Sequence, residues 1–276
     1  PFTYDQNGQI EAPNGAKFNK TPGILPKLIL KLYNERDNAK KENDKIKSYA
    51  LKIIMNSFYG AVASPKSRFY NRDVGGAITA FGRYIIQIAK KYIEELGHTV
   101  IYGDTDSIFV KFNQKFNSFE DKIKYGKEIE DKINLYFEKW VKKNYDQNNF
   151  LNIQLEKIYK DFFIASKKRY VGYNEINKKI QYVGLEAIRG DWTELAKNFQ
   201  IELIDKIFAN KKKEEIENFI RKYIDHLNEC KFDELLIYKK KITKPLEEYT
   251  KTTPPHVKAA RELGNLSTWT IKYIMT

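Results

Sequence analysis

The stretch HTVIYGDTDSIFVK, residues 98–111, decides how the rest of the chain is read. Two short runs of strand-forming residues, Thr99 to Tyr102 and Ile108 to Val110, flank Gly103, Asp104, Thr105, Asp106 and Ser107. Gly and Asp tolerate turn geometry, so the pattern predicts a β-hairpin with two Asp side chains near its tip. Exposed there, the pair offers hard oxygen ligands for Mg²⁺, which usually takes one or two carboxylates together with substrate phosphates. The plainer reading is an Asp-rich turn on a surface hairpin, and the flanking sequence has to separate the two.

The chain has 276 residues, 42% hydrophobic and 14% aromatic, enough apolar material for a sizeable core and too much for disorder. Lysine and arginine outnumber aspartate and glutamate by 49 to 36, a net charge of +13. That balance favours a polyanionic partner, nucleic acid ahead of an anionic membrane surface, against the competing reading of a solvated basic surface. A single cysteine, Cys230, excludes a disulfide framework and a Cys-rich zinc site and fits a reducing compartment. His98, His226 and His256 are scattered and point to no metal cluster. No run reaches the roughly 20 apolar residues of a membrane span and no signal peptide is visible, so no membrane partner is expected. The expected setting is cytoplasmic, or a host-cell interior if the gene is viral. The first residue is Pro1, which points to a fragment or processed piece of something longer.

Residues 1–23 are rich in turn signals and read as an extended or hairpin-like leading segment. Helical periodicity follows over about 24–43 and 46–60, with a short polar turn between and Gly60 placed to end the second helix. Residues 61–72 read as a loop, 75–96 as a long helix ending at Gly97, and 118–144 as a charged helix whose aromatics are packing residues. Strand signals return at 152–156, 162–166, 169–173 and 179–183, with a turn at 174–177. Beyond Gly184 the pattern is mainly helical, over about 192–230, 232–235 and 256–263, with Lys239 to Pro245 separating the last two.

Lys52, Asn56 and Tyr59, spaced four and three apart, fall on one helical face. A cation, an amide and a phenol in one stripe suit a nucleotide: Lys for phosphate oxygens, Asn for phosphate or sugar, Tyr for packing against sugar or base. Arg36 and Lys40 form a second basic pair on the preceding helix, and an amphipathic helix pair with a solvated basic face is the competing reading. Ser166 to Tyr170 places a basic triplet at the start of a strand, suited to a nucleic-acid backbone. Lysines there could instead guard an edge strand. Glu156, mid-strand in this reading, is either the exposed side of an alternating strand or a third acid near the Asp pair.

In order, KxxxNSxYG at 52–60, YGDTDS at 102–107 and KKRY at 167–170 closely resemble the motif series of family B DNA polymerases. The resemblance continues through GLEAIRGDW at 184–192, ITKPLEEY at 242–249 and PHVKAAR at 255–261, spans about residues 20–276, and is nearest to archaeal and archaeal-virus-like branches. It implies an α+β fold. Residues 1–60 would be a leading segment and helical fingers hairpin, 61–190 a palm with an antiparallel β-sheet flanked by helices, and 191–276 a mainly helical, truncated thumb. It implies that Asp106 is the principal ligand of two catalytic Mg²⁺ ions, Asp104 a weaker or water-mediated one, and Glu156 a neighbour of the metals. Lys52 and Asn56 would hold the incoming dNTP triphosphate, helped by Arg36 and Lys40, with Tyr59 against the nascent base pair. Lys167, Lys168, Arg169, Tyr170 and Arg189 would contact primer-template DNA.

The sequence also departs from that pattern. The motif A segment D-x-x-S-L-Y-P-S, which carries the other essential carboxylate, does not occur, nor does an exonuclease domain. The fingers hairpin is shorter by about three helical turns, by resemblance, and the thumb stops soon after Tyr273. The expectation is therefore the C-terminal part of a template-directed DNA polymerase, inactive alone, whose partner is an N-terminal half carrying motif A and an exonuclease domain. The alternative is a non-catalytic DNA-binding subunit or polymerase remnant. An unrelated nucleotidyltransferase with a similar hairpin leaves Lys52, Asn56 and the KKRY stretch unexplained.

Overall fold

A computed structural model describes residues 4–250, 253–264 and 268–275; the first three residues of the expected leading segment lie outside them. The chain divides into two compact units, Pro1–Leu155 and Glu156–Thr276.

The first unit begins with a small antiparallel hairpin, β1 (Ile10–Glu11) and β2 (Lys17–Phe18), as the turn signals around Asn14 and Gly15 predict. Two helices, α1 (Ile24–Lys41) and α2 (Lys45–Ala63), form a helical hairpin through the turn at 42–44. Asp44 caps α2 by accepting from the Lys47 backbone N–H, satisfying one of the orphan donors of the first turn. Gly60 does not end α2; the helix runs on to Ala63 and stops just before Pro65, which disfavours helical geometry in the residue preceding it. Asn71 then caps α3 (Arg72–Glu95), its side-chain oxygen accepting from both Asp73 and Val74. Gly75 lets α3 start against the end of α2, because a Cβ there would lie 3.2 Å from Ala63 Cα.

At its other end α3 closes on Gly97, at φ 88°, with the Gly97 and His98 N–H groups returning to Glu94 and Ile93 carbonyls. The antiparallel hairpin β3 (Thr99–Asp104) and β4 (Ser107–Lys111) follows, then α4 (Phe119–Tyr145), capped by Ser118. Ala89 and Ile93 of α3 and Ile129, Ile133 and Phe137 of α4 make the buried floor, and Val100, Ile108 and Val110 of the hairpin pack on it. Phe137 is fully buried, and burying such a ring is worth about 1.5–3 kcal/mol.

Residues 152–156 are not a strand. Their backbone needs are met by α4 instead: Asn134 bonds both the N–H and the carbonyl of Ile153, and Glu130 accepts the Leu155 N–H.

In the second unit β5 (Tyr159–Ser166), β6 (Arg169–Asn174) and β7 (Lys179–Val183) form an antiparallel meander in the order β5-β6-β7. Gly172 in the middle strand leaves room for the Tyr159 ring, which a Cβ would meet at 2.4 Å. Val171, Leu185 and Ile204 form the core beneath it. The helical stretch expected over 192–230 is two helices, α5 (Glu194–Phe208) and α6 (Lys213–Asn228), broken where Asn210 takes φ 51°. The expected separator 239–245 holds a strand, β8 (Tyr238–Lys241), which pairs with β9 (Thr270–Tyr273) and packs near α7 (Pro255–Leu263) around Ile242, Val257, Ala260 and Ile271.

Candidate active site

The hairpin tip is built by its backbone. Asp104 faces Ser107 across the turn, and the Asp106 N–H donates to the Asp104 carbonyl at 2.5 Å, an i to i+2 bond of γ-turn type. Thr105 between them takes φ 51°, an outlier for a β-branched residue. Strain of this kind costs about 1–3 kcal/mol and persists where the surroundings over-determine it. Here the over-determination comes from below, since both strands are seated on the α3–α4 floor.

Each carboxylate is steered by the hydroxyl that follows it. Thr105 donates to Asp104 Oδ1 at 3.1 Å and Ser107 to Asp106 Oδ1 at 3.3 Å. Asp106 is exposed and Asp104 half-buried. The hairpin base is pinned by His98, buried among Phe112 and Tyr125, with Nε2 2.8 Å from the Tyr125 hydroxyl. Burial, helped by Lys132, lowers the His98 pKa, so the ring is neutral at pH 7 and packs as an apolar plug.

Lys52, Asn56 and Tyr59 are all exposed on α2, and none makes a side-chain hydrogen bond or ion pair among the described residues. On α1, Lys40 pairs with Asp37 at 3.4 Å, while Arg36 is half-buried with its Nε lacking a hydrogen-bond partner. A guanidinium with an orphaned donor is suited to an anion.

The remaining expected site residues belong to the second unit. Glu156 is its first residue, exposed and outside any strand. Lys167 and Lys168 do not start a strand; they form the two-residue turn between β5 and β6, with Lys168 at φ 61°. Arg169 opens β6 and is in an ion pair with Glu186, whose other oxygen accepts from Gln200. Tyr170 is half-buried against Phe162, ring centroids 5.4 Å apart. Arg189 forms a two-pronged pair with Asp191, at 3.0 and 2.6 Å, and that pair holds the Asp191 carboxyl down at about 2. Arg169 and Arg189 thus each have a carboxylate partner of their own.

Sequence reasoning missed the two steering hydroxyls, although a Thr and a Ser directly after the two Asp residues were the available signal. It also missed Gly184, at φ 62°, which lies so close to the Lys167–Lys168 turn that a Cβ would be 2.1 Å from the Lys168 carbonyl oxygen. Among the described residues no three Asp, Glu, His or Cys side chains gather into a metal-sized group. The donor set at the tip is a carboxylate pair. Its hard oxygens fit a divalent ion that draws its other ligands from phosphates, water or further protein groups.

The chain belongs to DNA polymerase family B, whose family model matches residues 7–273. It is 36% identical to DNA polymerase II of Escherichia coli over 89% of this chain and 32% of that protein. With the DNA polymerase of Archaeoglobus fulgidus it shares 34% identity over 96% of this chain and 34% of the relative. With the DNA polymerase alpha catalytic subunit of Xenopus laevis the figures are 30%, 83% and 16%. The structure of the family B DNA polymerase from Pyrobaculum calidifontis superimposes with a TM-score of 0.64 at 30% identity, over 97% of this chain and 35% of that one. The chain therefore spans about a third or less of the length of these relatives. The family and the mixed α and β architecture expected from the motifs are borne out.

Proposed function

We propose that this chain supplies the carboxylate hairpin and the nucleotide-facing helices of a template-directed DNA polymerase that adds dNTPs to a primer 3′ end. The observation that carries the proposal is the exposed Asp106 beside Asp104 on a strained, hydroxyl-steered tip. In this reading residues 1–60 act as fingers, 61–190 as palm and 191–276 as thumb. Asp106 and Asp104 would hold Mg²⁺, with Glu156 nearby and the remaining carboxylate supplied by a segment bearing D-x-x-S-L-Y-P-S. When bound, a pair of such ions lowers the pKa of the primer hydroxyl and stabilises the entering and leaving oxygens of an in-line displacement.

This chain's own residues do the positioning. Lys52 and Arg36 offset charge on the triphosphate and on the departing pyrophosphate, Asn56 hydrogen-bonds phosphate or sugar, and Tyr59 packs against the new base pair. Lys40 exchanges Asp37 for phosphate. Lys167 and Lys168 hold the primer-template backbone, with Arg169, Tyr170 and Arg189 beside them.

Mixing this chain with a polypeptide carrying the motif A segment and following Mg²⁺-dependent primer extension tests the proposal. Extension that needs both parts and is lost in Asp106→Ala supports it; an inactive mixture, or activity untouched by Asp106→Ala, refutes it. The lack of a three-ligand group among the described residues favours a second reading, a DNA-binding part without catalysis. That reading predicts salt-sensitive DNA binding and no effect of Asp106→Ala on extension by a partner.

A further inference from the structure

One carboxylate in the second unit ties three elements together. Glu186 lies in a single 3₁₀ turn, Glu186–Ile188, and its side chain is only 14% exposed. One of its oxygens pairs with the Arg169 guanidinium, and the other accepts from Gln200 Nε2 at 2.8 Å. Gln200 stands half-buried on α5, and its own oxygen accepts the Ala187 backbone N–H at 2.7 Å. The Gln200 amide thus donates to the Glu186 side chain and accepts from the next backbone N–H, which fixes which way round it sits.

Each member of this link stands beside the same small core. Arg169 and Val171 share a face of β6, Gln200 and Ile204 lie one turn apart on α5, and Glu186 follows Leu185. Val171, Leu185 and Ile204 pack together. The link Gln200–Glu186–Arg169 therefore runs without a gap from α5 to the first residue after the Lys167–Lys168 turn. That turn needs holding, because Lys168 at φ 61° has a left-handed backbone that residues with a Cβ disfavour.

Stability is a weak reason for such a link. A largely buried ion pair gains little over apolar residues of the same volume, because desolvation offsets its attraction. Here the pair is also incomplete, since Arg169 Nε is buried without a hydrogen-bond partner. What the link supplies is geometry: the amide orients the carboxylate, and the carboxylate orients the guanidinium at the start of β6. We infer that Gln200 is a positioning residue which, through Glu186 and Arg169, sets the Lys167–Lys168 turn against the primer-template backbone. Arg169 is then a strut rather than a DNA contact. The inference rests on the reading above that this turn holds DNA; the link itself rests on its three hydrogen-bonded contacts.

The test uses the full chain and a short primer-template duplex, with affinity measured across a salt series. Two lysine contacts contribute about 1.8 to the slope of log affinity against log salt, at about 0.9 each. Gln200→Leu removes both hydrogen bonds of the amide without changing charge, and Gln200→Glu sets two carboxylates against each other. Each should lower the slope by up to about 1.8, so that about 12-fold less affinity is lost between about 50 and 200 mM salt. The exchange Glu186→Gln/Gln200→Glu rebuilds every hydrogen bond of the link and should restore the parent slope. In Lys167→Gln/Lys168→Gln, which itself lowers the slope by about 1.8, neither Gln200 change should lower it further. A parent slope in either folded Gln200 variant overturns the inference, as does an exchanged double that stays as low as Gln200→Glu. So does a drop that persists in Lys167→Gln/Lys168→Gln, which would place the effect elsewhere. A drop seen only where hydrogen exchange shows α5 and β6 open throughout is loss of fold and overturns it too. A parent chain without salt-dependent duplex binding also overturns it, while primer extension with a motif A segment still decides the polymerase reading.

Discussion

Replacing Gly184 by Ala is a severe test of how the Lys167–Lys168 turn is held. Gly184 follows β7, and its φ of 62° is a conformation that costs an L-residue about 1–2 kcal/mol. The new methyl carbon would also stand 2.1 Å from the Lys168 carbonyl oxygen and 3.3 Å from Arg169 Cγ. The closer neighbour is backbone, so the turn itself must retreat by more than an ångström, and overpacking of that order costs about 1–3 kcal/mol. Stiffening the unfolded chain returns about 0.4–1 kcal/mol, leaving a net loss of about 1–4.6 kcal/mol. Because the chain has two compact units, local opening is the right quantity to read, by native-state hydrogen exchange at the amides of β6 and β7. Gly190→Ala is the control, since no atom lies within 4 Å of a Cβ there. A Gly184→Ala loss no larger than that of the control would refute the argument. Preserved exchange with a displaced turn would refute the magnitude.

Other expectations follow from ionisation and packing. The Arg189 pair depresses the Asp191 pKa to about 2, so its stabilisation is present above the ordinary carboxylate range near 4 and is lost as pH falls towards 2. Carboxyl NMR should show Asp191 titrating near 2, and Arg189→Gln should move it up towards 4. Burial lowers the His98 pKa, so the unfolded chain binds more protons below about pH 6.5; the first unit loses stability as pH falls from 7 to 5. His98→Gln should flatten that dependence, measured as the denaturant midpoint at each pH. Phe137→Ala removes a fully buried ring from the α3–α4 floor and should cost about 3–5 kcal/mol, with the hairpin amides at 104–107 exchanging faster in consequence.

What the sequence made legible was local. Gly97 ends α3 as its position predicts, and YGDTDS forms the hairpin because Thr99–Tyr102 and Ile108–Val110 each have a floor to sit on. What it hid was decided by distant partners. Leu151, Ile153 and Leu155 alternate like a strand, yet Asn134 and Glu130 took the backbone bonds a strand would have used. Lys239 to Lys241 looked like a polar connector because their partner strand lies about thirty residues further on, at Thr270–Tyr273. Arg169 looked like a free cation because the carboxylate that claims it, Glu186, becomes a partner only after folding, whereas Arg189 is claimed by Asp191 two residues on. Gly60 looked like a stop, but a helix tolerates one glycine at about 1 kcal/mol when its neighbours continue the pattern.

The central claim is that Asp106 is the stronger metal-holding carboxylate of a nucleotidyl-transfer site. Its most direct measurement is single-turnover primer extension in Mg²⁺, comparing Asp106→Asn with Asp104→Asn in this chain mixed with a segment that carries motif A. Neutralising the exposed Asp106 should slow extension by about a thousandfold or more. Neutralising Asp104 should cost distinctly less, with DNA affinity unchanged in both. Equal rates for Asp106→Asn and the parent chain, or a larger loss in Asp104→Asn, would contradict the account.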